Sequence, residues 1–347
     1  MYLRKILLLI VVLGLILGGV FAYKVYDAIF SPNTKFENNE AFIYVPTNST
    51  IEDVSELLEP LLKNPKTFLQ IAERKGYSSN VKGGKYAIQK GMNNNDIVNS
   101  LRSSNIPVQV SFNNQETLAD LAGRISSQIE PDSLTLLSVL SDKSFYTNNG
   151  FTEATQIAMF IPNSYEFFWN ASAENFRDRM LREYNRFWNE ERRAKAELQG
   201  LTPNEVVSLA SIVHKETAKV DERPRVAGVY LNRIKKNIKL QADPTVIFAL
   251  KKHMGNFDTV IKRVLYKDLE LDSPYNTYKY AGIPPGPITM PDISAIQAVL
   301  NPEKHDYYYF VANVENFGYH KFAKSLSQHN RNKAQYIRWI NSQNINR

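Results

Sequence analysis

Thr202-Pro-Asn-Glu-Val-Val-Ser-Leu-Ala-Ser-Ile-Val-His-Lys-Glu-Thr217 reads as a capped helix that carries a carboxylate on the flank of its apolar face. Thr202 is the N-cap, Pro203 the first helical residue, and Glu205 the third-position partner of a capping box. At about 100° per residue, Val206, Leu209, Ala210, Ile212 and Val213 fall on one apolar stripe. Glu216 follows Ile212 by four and Val213 by three, so it borders that stripe. Lys215 points to the opposite side, and His214 lies roughly 160° from Glu216 around the axis. A half-buried carboxyl has a raised pKa, which a general acid needs near neutral pH. The alternative is a structural glutamate ion-paired with an arginine such as Arg223 or Arg233.

A second stretch sets the compartment. Ile6 to Tyr23 is an uncharged apolar run of eighteen residues. As a helix it covers about 27 Å, enough to cross a bilayer core. Arg4 and Lys5 precede it, while Lys24 and Asp27 follow and nearly cancel. The positive-inside rule keeps the N-terminus in the cytoplasm and sends the rest of the chain out. Val20-Phe21-Ala22 resembles a signal-peptidase site, but the run exceeds the 7–15 residues usual for a signal core. The reading is a retained single-pass anchor, with everything after Tyr23 across the membrane. Gly14 and Gly18 form a GxxxG pair, a candidate dimer face.

Composition narrows the functional classes. Of 347 residues, 43% are apolar and 12% aromatic, so two or three domains can build cores and wholesale disorder is excluded. The net charge of +7 comes with no basic block and no nucleic-acid motif, so nucleic acid is not an expected partner. Zero cysteines exclude disulfides, iron–sulfur clusters and thiolate zinc sites. The histidines are His214, His253, His305, His320 and His329, without an HExxH pair, and a straight helix keeps His214 and Glu216 out of one ligand sphere. No GxSxG elbow and no glycine-rich phosphate loop are present. Neither metal nor cofactor is expected.

Periodicity and turn residues give an α+β chain: a transmembrane helix, a small β-α-α-β module, then a mostly helical domain with a short β-hairpin. The expected divisions are 1–24 for the cytoplasmic tip and anchor, 25–40 for a polar stalk, 41–105 for the module, 106–171 for a connecting α/β segment, and 172–347 for the catalytic domain. A single long helix is expected from Ser172 to about Leu198, with Phe176, Met180, Tyr184, Phe187 and Trp188 on its core face. Asp243-Pro244 reads as a cap and first-position pair opening the helix from Thr245 to Lys252.

Glycan chemistry fits a single carboxyl surrounded by aromatic and neutral polar groups. Leu240-Gln-Ala-Asp-Pro-Thr-Val246, Ser273-Pro-Tyr-Asn-Thr-Tyr278 and Gly318-Tyr-His-Lys-Phe322 have that character. Each has a plain alternative: Asp243 capping its helix, Tyr278 packing, His320 exposed on a hairpin.

Taken in order, these blocks resemble one family. They are Leu209 to Thr217, Val229-Tyr-Leu-Asn-Arg233, Leu240 to Val246, Tyr275-Asn-Thr-Tyr278, Gly282-Ile-Pro-Pro-Gly-Pro-Ile288, Tyr309-Phe-Val311, and His320 through His329-Asn330. Together they are similar to the membrane-anchored endolytic peptidoglycan transglycosylases, the MltG/YceG-like family. The likeness is close over Leu201 to Asn330 and weaker over the module, whose Gly83-Gly84-Lys85-Tyr86 turn resembles that family's LysM-like subdomain. The resemblance implies a lytic transglycosylase that cuts the MurNAc-β-1,4-GlcNAc bond of nascent strands and leaves 1,6-anhydro-MurNAc. It implies Glu216 as the acid and then the base, with Gln241, Asp243, Thr245, Asn276, Tyr278 and His320 as further candidates for positioning the glycan and the Glu216 carboxyl. It also implies membrane-bound peptidoglycan synthases as partners. Two departures stand out. His214 occupies a position where family members often carry glutamate, and Pro162-Asn163-Ser164-Tyr165-Glu166 lacks the usual aspartate, which leaves Asn163 without an inherited role. A different class, a non-catalytic peptidoglycan-binding scaffold for synthases, is the alternative.

Overall fold

The apolar N-terminus is one helix, α1 (Tyr2–Phe30), with its apolar side chains exposed along the whole run. It is the one helix among the described residues long and apolar enough to cross a membrane. The computed structural model describes residues 2–342. Met1, from the expected cytoplasmic tip, and residues 343–347, from the expected catalytic domain, lie outside the described residues.

The chain forms two compact units. Of the described residues, the first comprises 2–110, 128–131 and 165–172. After α1 come β1 (Glu40–Val45), α2 (Ile51–Leu58), α3 (Pro65–Arg74), β2 (Gly84–Gln89) and α4 (Asn94–Ser103). β1 and β2 pair antiparallel, with Ile43 opposite Tyr86 and Val45 opposite Gly84. The expected β-α-α-β order is therefore present. Thr50 closes a full capping box on α2, and the Asn93 side chain caps α4. One face of each element buries Val45, Val54, Leu58, Phe68, Tyr86, Ile88 and Leu101 in a common core.

Residues 25–40, expected as a polar stalk, are helical to Phe30 and then lie on this unit. Pro32 and Thr34 form isolated bridges to Asn93 and Leu62. The Asn33 amide donates to Asn64 O at 3.0 Å and Asn94 Oδ1 at 2.7 Å, and its carbonyl accepts from Asn64 N at 2.8 Å. A buried amide needs these partners, which is what ties the stretch down. Asn33→Ala should cost about 1–3 kcal/mol, because it strands buried polar groups. The denaturant midpoint of the chain in detergent measures this, and an unchanged midpoint would mean a detachable stalk.

β3 (Pro107–Phe112) and β4 (Asn163–Phe168) pair with each other and carry the chain across the division between the units. The stretch 106–171 is thus shared by both units.

Of the described residues, the second unit comprises 111–127, 132–164 and 173–342. It begins with α5 (Leu118–Ser126), α6 (Ser133–Leu140) and α7 (Lys143–Asn148). The expected long helix is broken into α8 (Ala173–Phe187) and α9 (Glu190–Leu198), because the Asn189 side chain accepts from Arg192 N and starts a new helix. The aromatic face is kept: Phe176, Met180, Tyr184 and Trp188 are buried.

α10 (Pro203–Glu216) has the expected Thr202/Glu205 capping box. It is more deeply set than one apolar stripe requires. Val206 to Val213 are all buried, so neighbouring helices cover it on every side. α11 (Arg223–Lys235), α12 (Asp243–Met254) and α13 (Ile293–Leu300) all pack on it. Each fully buried Val or Leu contributes about 1.5–3 kcal/mol, so this helix anchors the unit. Gly228 lets α11 approach the following chain closely: a Cβ there would stand 2.6 Å from Glu303 O. The hairpin of β5 (Tyr309–Ala312) and β6 (His320–Ala323) follows, with Ala312 opposite His320. α14 (Leu326–Ser342) closes the described chain.

Candidate active site

Glu216 is the last residue of α10, and Thr217 beyond it is extended with φ −140°. The helix therefore delivers the carboxyl at its end, where the packed helices open into a cleft. The cleft has a volume of about 370 Å³ and is lined by Glu216, Tyr230, Arg233, Gln241, Asp243 and Tyr278, with Tyr309 and His329 on another wall.

α11 brings Tyr230 and Arg233 to the cleft beside Glu216. The Tyr230 hydroxyl donates to Glu216 Oε1 at 2.7 Å. Arg233, three residues on and so on the same helical face, also lines the cleft. The ion-pair alternative does not hold for either arginine. Arg223 binds Asp292 at 3.0 Å, while Arg233 donates to the carbonyls of Tyr308, Lys239 and Leu240. Among the described residues Glu216 has no salt bridge. Burial pushes its carboxyl up to about 7, against the Tyr230 hydrogen bond and the positive influence of His320, and the nearby Asp243 raises it further. A carboxyl at that value is half protonated near neutrality and can both give and take a proton.

His214 faces another group of residues. Its Nδ1 lies 3.3 Å from Asp292 and 3.2 Å from Arg223 Nη2. Burial lowers its pKa, with Asp292 opposing.

The remaining expected residues divide. Gln241 and Asp243 line the cleft, as does Tyr278. Asp243 does not cap its helix: Ala242 is the N-cap, and no side chain caps this end. Thr277 sets the start, since Ala242 N donates to its hydroxyl at 3.0 Å and Gln241 N to its carbonyl at 3.1 Å. This leaves Gln241 at φ 50°, a left-handed conformation that costs a non-glycine residue energy. Asp243 Oδ1 instead accepts from the Tyr278 hydroxyl at 2.6 Å.

Thr245 and Asn276 are not brought into the cleft. Thr245 is fully buried, with its hydroxyl donating to Ala242 O at 2.7 Å. Asn276, also fully buried, donates to the carbonyls of Leu269 and Leu271. Both hold the loops that carry Asp243 and Tyr278. His320 is half-buried and gripped by Glu222, whose carboxylate accepts from its backbone N–H at 2.6 Å and meets its Nδ1 at 2.8 Å. It packs on Phe310, a cleft residue, at 5.0 Å.

Sequence reading missed Tyr230 and Glu222 as site residues. The helical spacing of Tyr230 and Arg233 carried a signal, but only the packing of α11 on α10 turns that face toward Glu216.

Residues 43–335 match the YceG-like family. The chain is 31% identical to the endolytic murein transglycosylase of Bacillus subtilis (strain 168), over 93% of this chain and 91% of that protein. It is 27% identical to a protein of the same name from Streptococcus pneumoniae serotype 2, over 92% of this chain but only 62% of that longer protein. A crystal structure of a putative yceG-like protein from Listeria monocytogenes is similar with 29% identity and a TM-score of 0.57, over 85% of this chain and 99% of that one.

Proposed function

This chain belongs to the YceG-like family, and from that premise we propose that it is a membrane-anchored endolytic murein transglycosylase with Glu216 as its acid and base. The observation that carries the reading is the Glu216 carboxyl, raised to about 7 in a polar cleft without a salt-bridge partner among the described residues.

The proposed reaction needs one carboxyl twice. Protonated Glu216 gives its proton to the GlcNAc oxygen as the MurNAc C1–O bond breaks. The resulting carboxylate takes the proton of the MurNAc C6 hydroxyl, whose oxygen bonds to C1 and closes the 1,6-anhydro ring. The electron-deficient C1 is stabilised by the substrate's own N-acetyl group, as in substrate-assisted glycosidases. Glu216 ends protonated, ready for the next cut. Tyr230 occupies Oε1 as a donor, which leaves Oε2 to carry the travelling proton. Gln241, Asp243 and Tyr278 position the sugars, and His320 acts from behind Phe310.

Tyr230→Phe tests the control of that proton. Its hydrogen bond favours the charged form of Glu216, so losing it should move the alkaline limb of the pH–rate profile upward while the chain stays folded. A limb that stays in place would remove Tyr230 from this role.

α1 supports a single-pass anchor, and Arg4 and Lys5 before the apolar run favour a cytoplasmic N-terminus. A reporter fused after Arg347 should then be active only outside the cytoplasm, and cytoplasmic activity would sink the orientation. The β-α-α-β order of the first unit supports a LysM-like glycan-binding module, and cutting near the membrane suits partnership with peptidoglycan synthases.

A further inference from the structure

The cleft has a basic wall that the proton transfers do not use. Arg233 is only 7% exposed, yet among the described residues no carboxylate pairs with it. Its Nε and Nη1 donate to three backbone carbonyls, and no described residue accepts from Nη2. Neutral carbonyls satisfy those N–H groups, and the face of the Tyr309 ring lies 5.2 Å from the guanidinium, but no contacting anion among the described residues neutralises the buried cation. Beside it, the His329 ring stacks on Tyr309 at 5.3 Å, and its Nδ1 has no hydrogen-bond partner among the described residues. Lys333, one helical turn further along α14, lines the same cleft from an exposed position and joins no salt bridge among the described residues. The facing acids influence Arg233 only at a distance, and neither forms a salt bridge with it among the described residues. Glu216 is bound by Tyr230, and Asp243 by Tyr278.

We propose that Arg233, His329 and Lys333 form a carboxylate-binding subsite that seats the acidic substituent of a muramic acid beside the scissile bond. The inference rests on the transglycosylase reading and deepens it. A guanidinium held by its Nε and Nη1, with Nη2 left to donate, suits a carboxylate oxygen, and a lysine at the rim adds charge without demanding fixed geometry. Such a subsite would set the register of the strand: the residue bearing the acid must lie against α14 for its neighbour to reach Glu216. The carboxylate has two possible sources, the stem peptide or the lactyl group exposed when the stem is removed.

The test uses the full chain and uncrosslinked glycan strands in four forms. Strands carry intact stems or have been stripped by an amidase, and each kind is used as such or after carbodiimide coupling to methylamine, which neutralises the carboxylates. New anhydro ends are counted to give kcat and KM. Neutralisation should reduce wild-type kcat/KM about tenfold or more, mainly through KM, as expected for a charge-assisted hydrogen bond lost from binding. Arg233→Gln and Lys333→Gln should be impaired on charged strands and indifferent to neutralisation, a pattern that a merely structural defect would not produce. Lys333→Gln, on an exposed helical face, carries the test should Arg233→Gln fail to fold. The form in which neutralisation matters identifies the source of the carboxylate. Equal wild-type activity on charged and neutralised strands would overturn the subsite alone, as would variants that keep the wild-type ratio. No anhydro ends from any strand would overturn the transglycosylase reading as well.

Discussion

Replacing Glu216 with glutamine should lower glycan cleavage about 10²–10⁴-fold, the scale of one general acid/base, and should also stabilise the chain above neutral pH. The two effects share one cause. Glutamine keeps the shape of the side chain and can still accept from Tyr230, but it has no proton to transfer. The stability effect follows from the raised pKa. In the folded chain Glu216 titrates at about 7, against 4.5 when solvated. Between those values the native state binds a proton that the unfolded state does not, so the stability tied to this group is complete below 4.5 and is lost as pH rises through about 7. Above pH 7 the wild type must keep a desolvated anion, at a cost on the order of 1–3 kcal/mol once screening in an open cleft is allowed for. Glu216→Gln avoids that cost. Its melting temperature should exceed the wild type's at pH 8, with the gap narrowing toward pH 5. An unaltered rate would end the catalytic assignment. A variant less stable than wild type at pH 8 would show instead that the carboxylate is held by favourable contacts.

His214 is the companion control. It lies on the Asp292–Arg223 side of α10 and contacts none of the cleft residues described above, so His214→Gln should retain most activity.

The helix that carries Glu216 was legible because its cap, its stripe and the flank position of Glu216 all lie within one element, where spacing fixes direction. Local signals failed where a side chain's partner is remote in sequence. Asp243-Pro244 carries the signature of a helix cap, yet Thr277 pins the loop one residue earlier and frees Asp243 for Tyr278. Thr245 and Asn276 belong to the same blocks as Asp243 and Tyr278. In sequence the four look alike. Only burial separates the two that line the cleft from the two that hold its loops. The break at Asn189 was written in the sequence as a capping residue, but the aromatic periodicity across it masked the signal. Residues 25–40 are polar enough for a stalk. The buried asparagine network that docks Asn33 has no sequence signature at all.

Cleavage in ¹⁸O-water should give new 1,6-anhydro-MurNAc ends without heavy oxygen, and mass spectrometry of the digests would read this directly. The question is open to chemistry because the cleft holds a second carboxylate. Asp243 lines it together with Glu216, and the capping role that would have disqualified Asp243 is absent. An inverting hydrolase needs such a partner roughly 6.5–9.5 Å from the acid, to activate water. Two observations weigh against that use. Asp243 Oδ1 accepts from the Tyr278 hydroxyl at 2.6 Å, an arrangement that favours a positioning anion over a free base. The C6 hydroxyl is tethered to the reacting sugar, and a well-placed intramolecular nucleophile reaches an effective molarity of about 10⁵–10⁸ M, far above that of water. Asp243→Asn separates the roles. If Asp243 only lends charge, the variant should still form anhydro ends, with its alkaline limb moved downward, because that charge helps hold the Glu216 pKa up. If Asp243 activates water, the same variant should lose about 10²–10⁴-fold in rate, and the wild type should yield ¹⁸O-labelled reducing ends. Labelled reducing ends as the main product would overturn the lyase mechanism even with Glu216 proved essential.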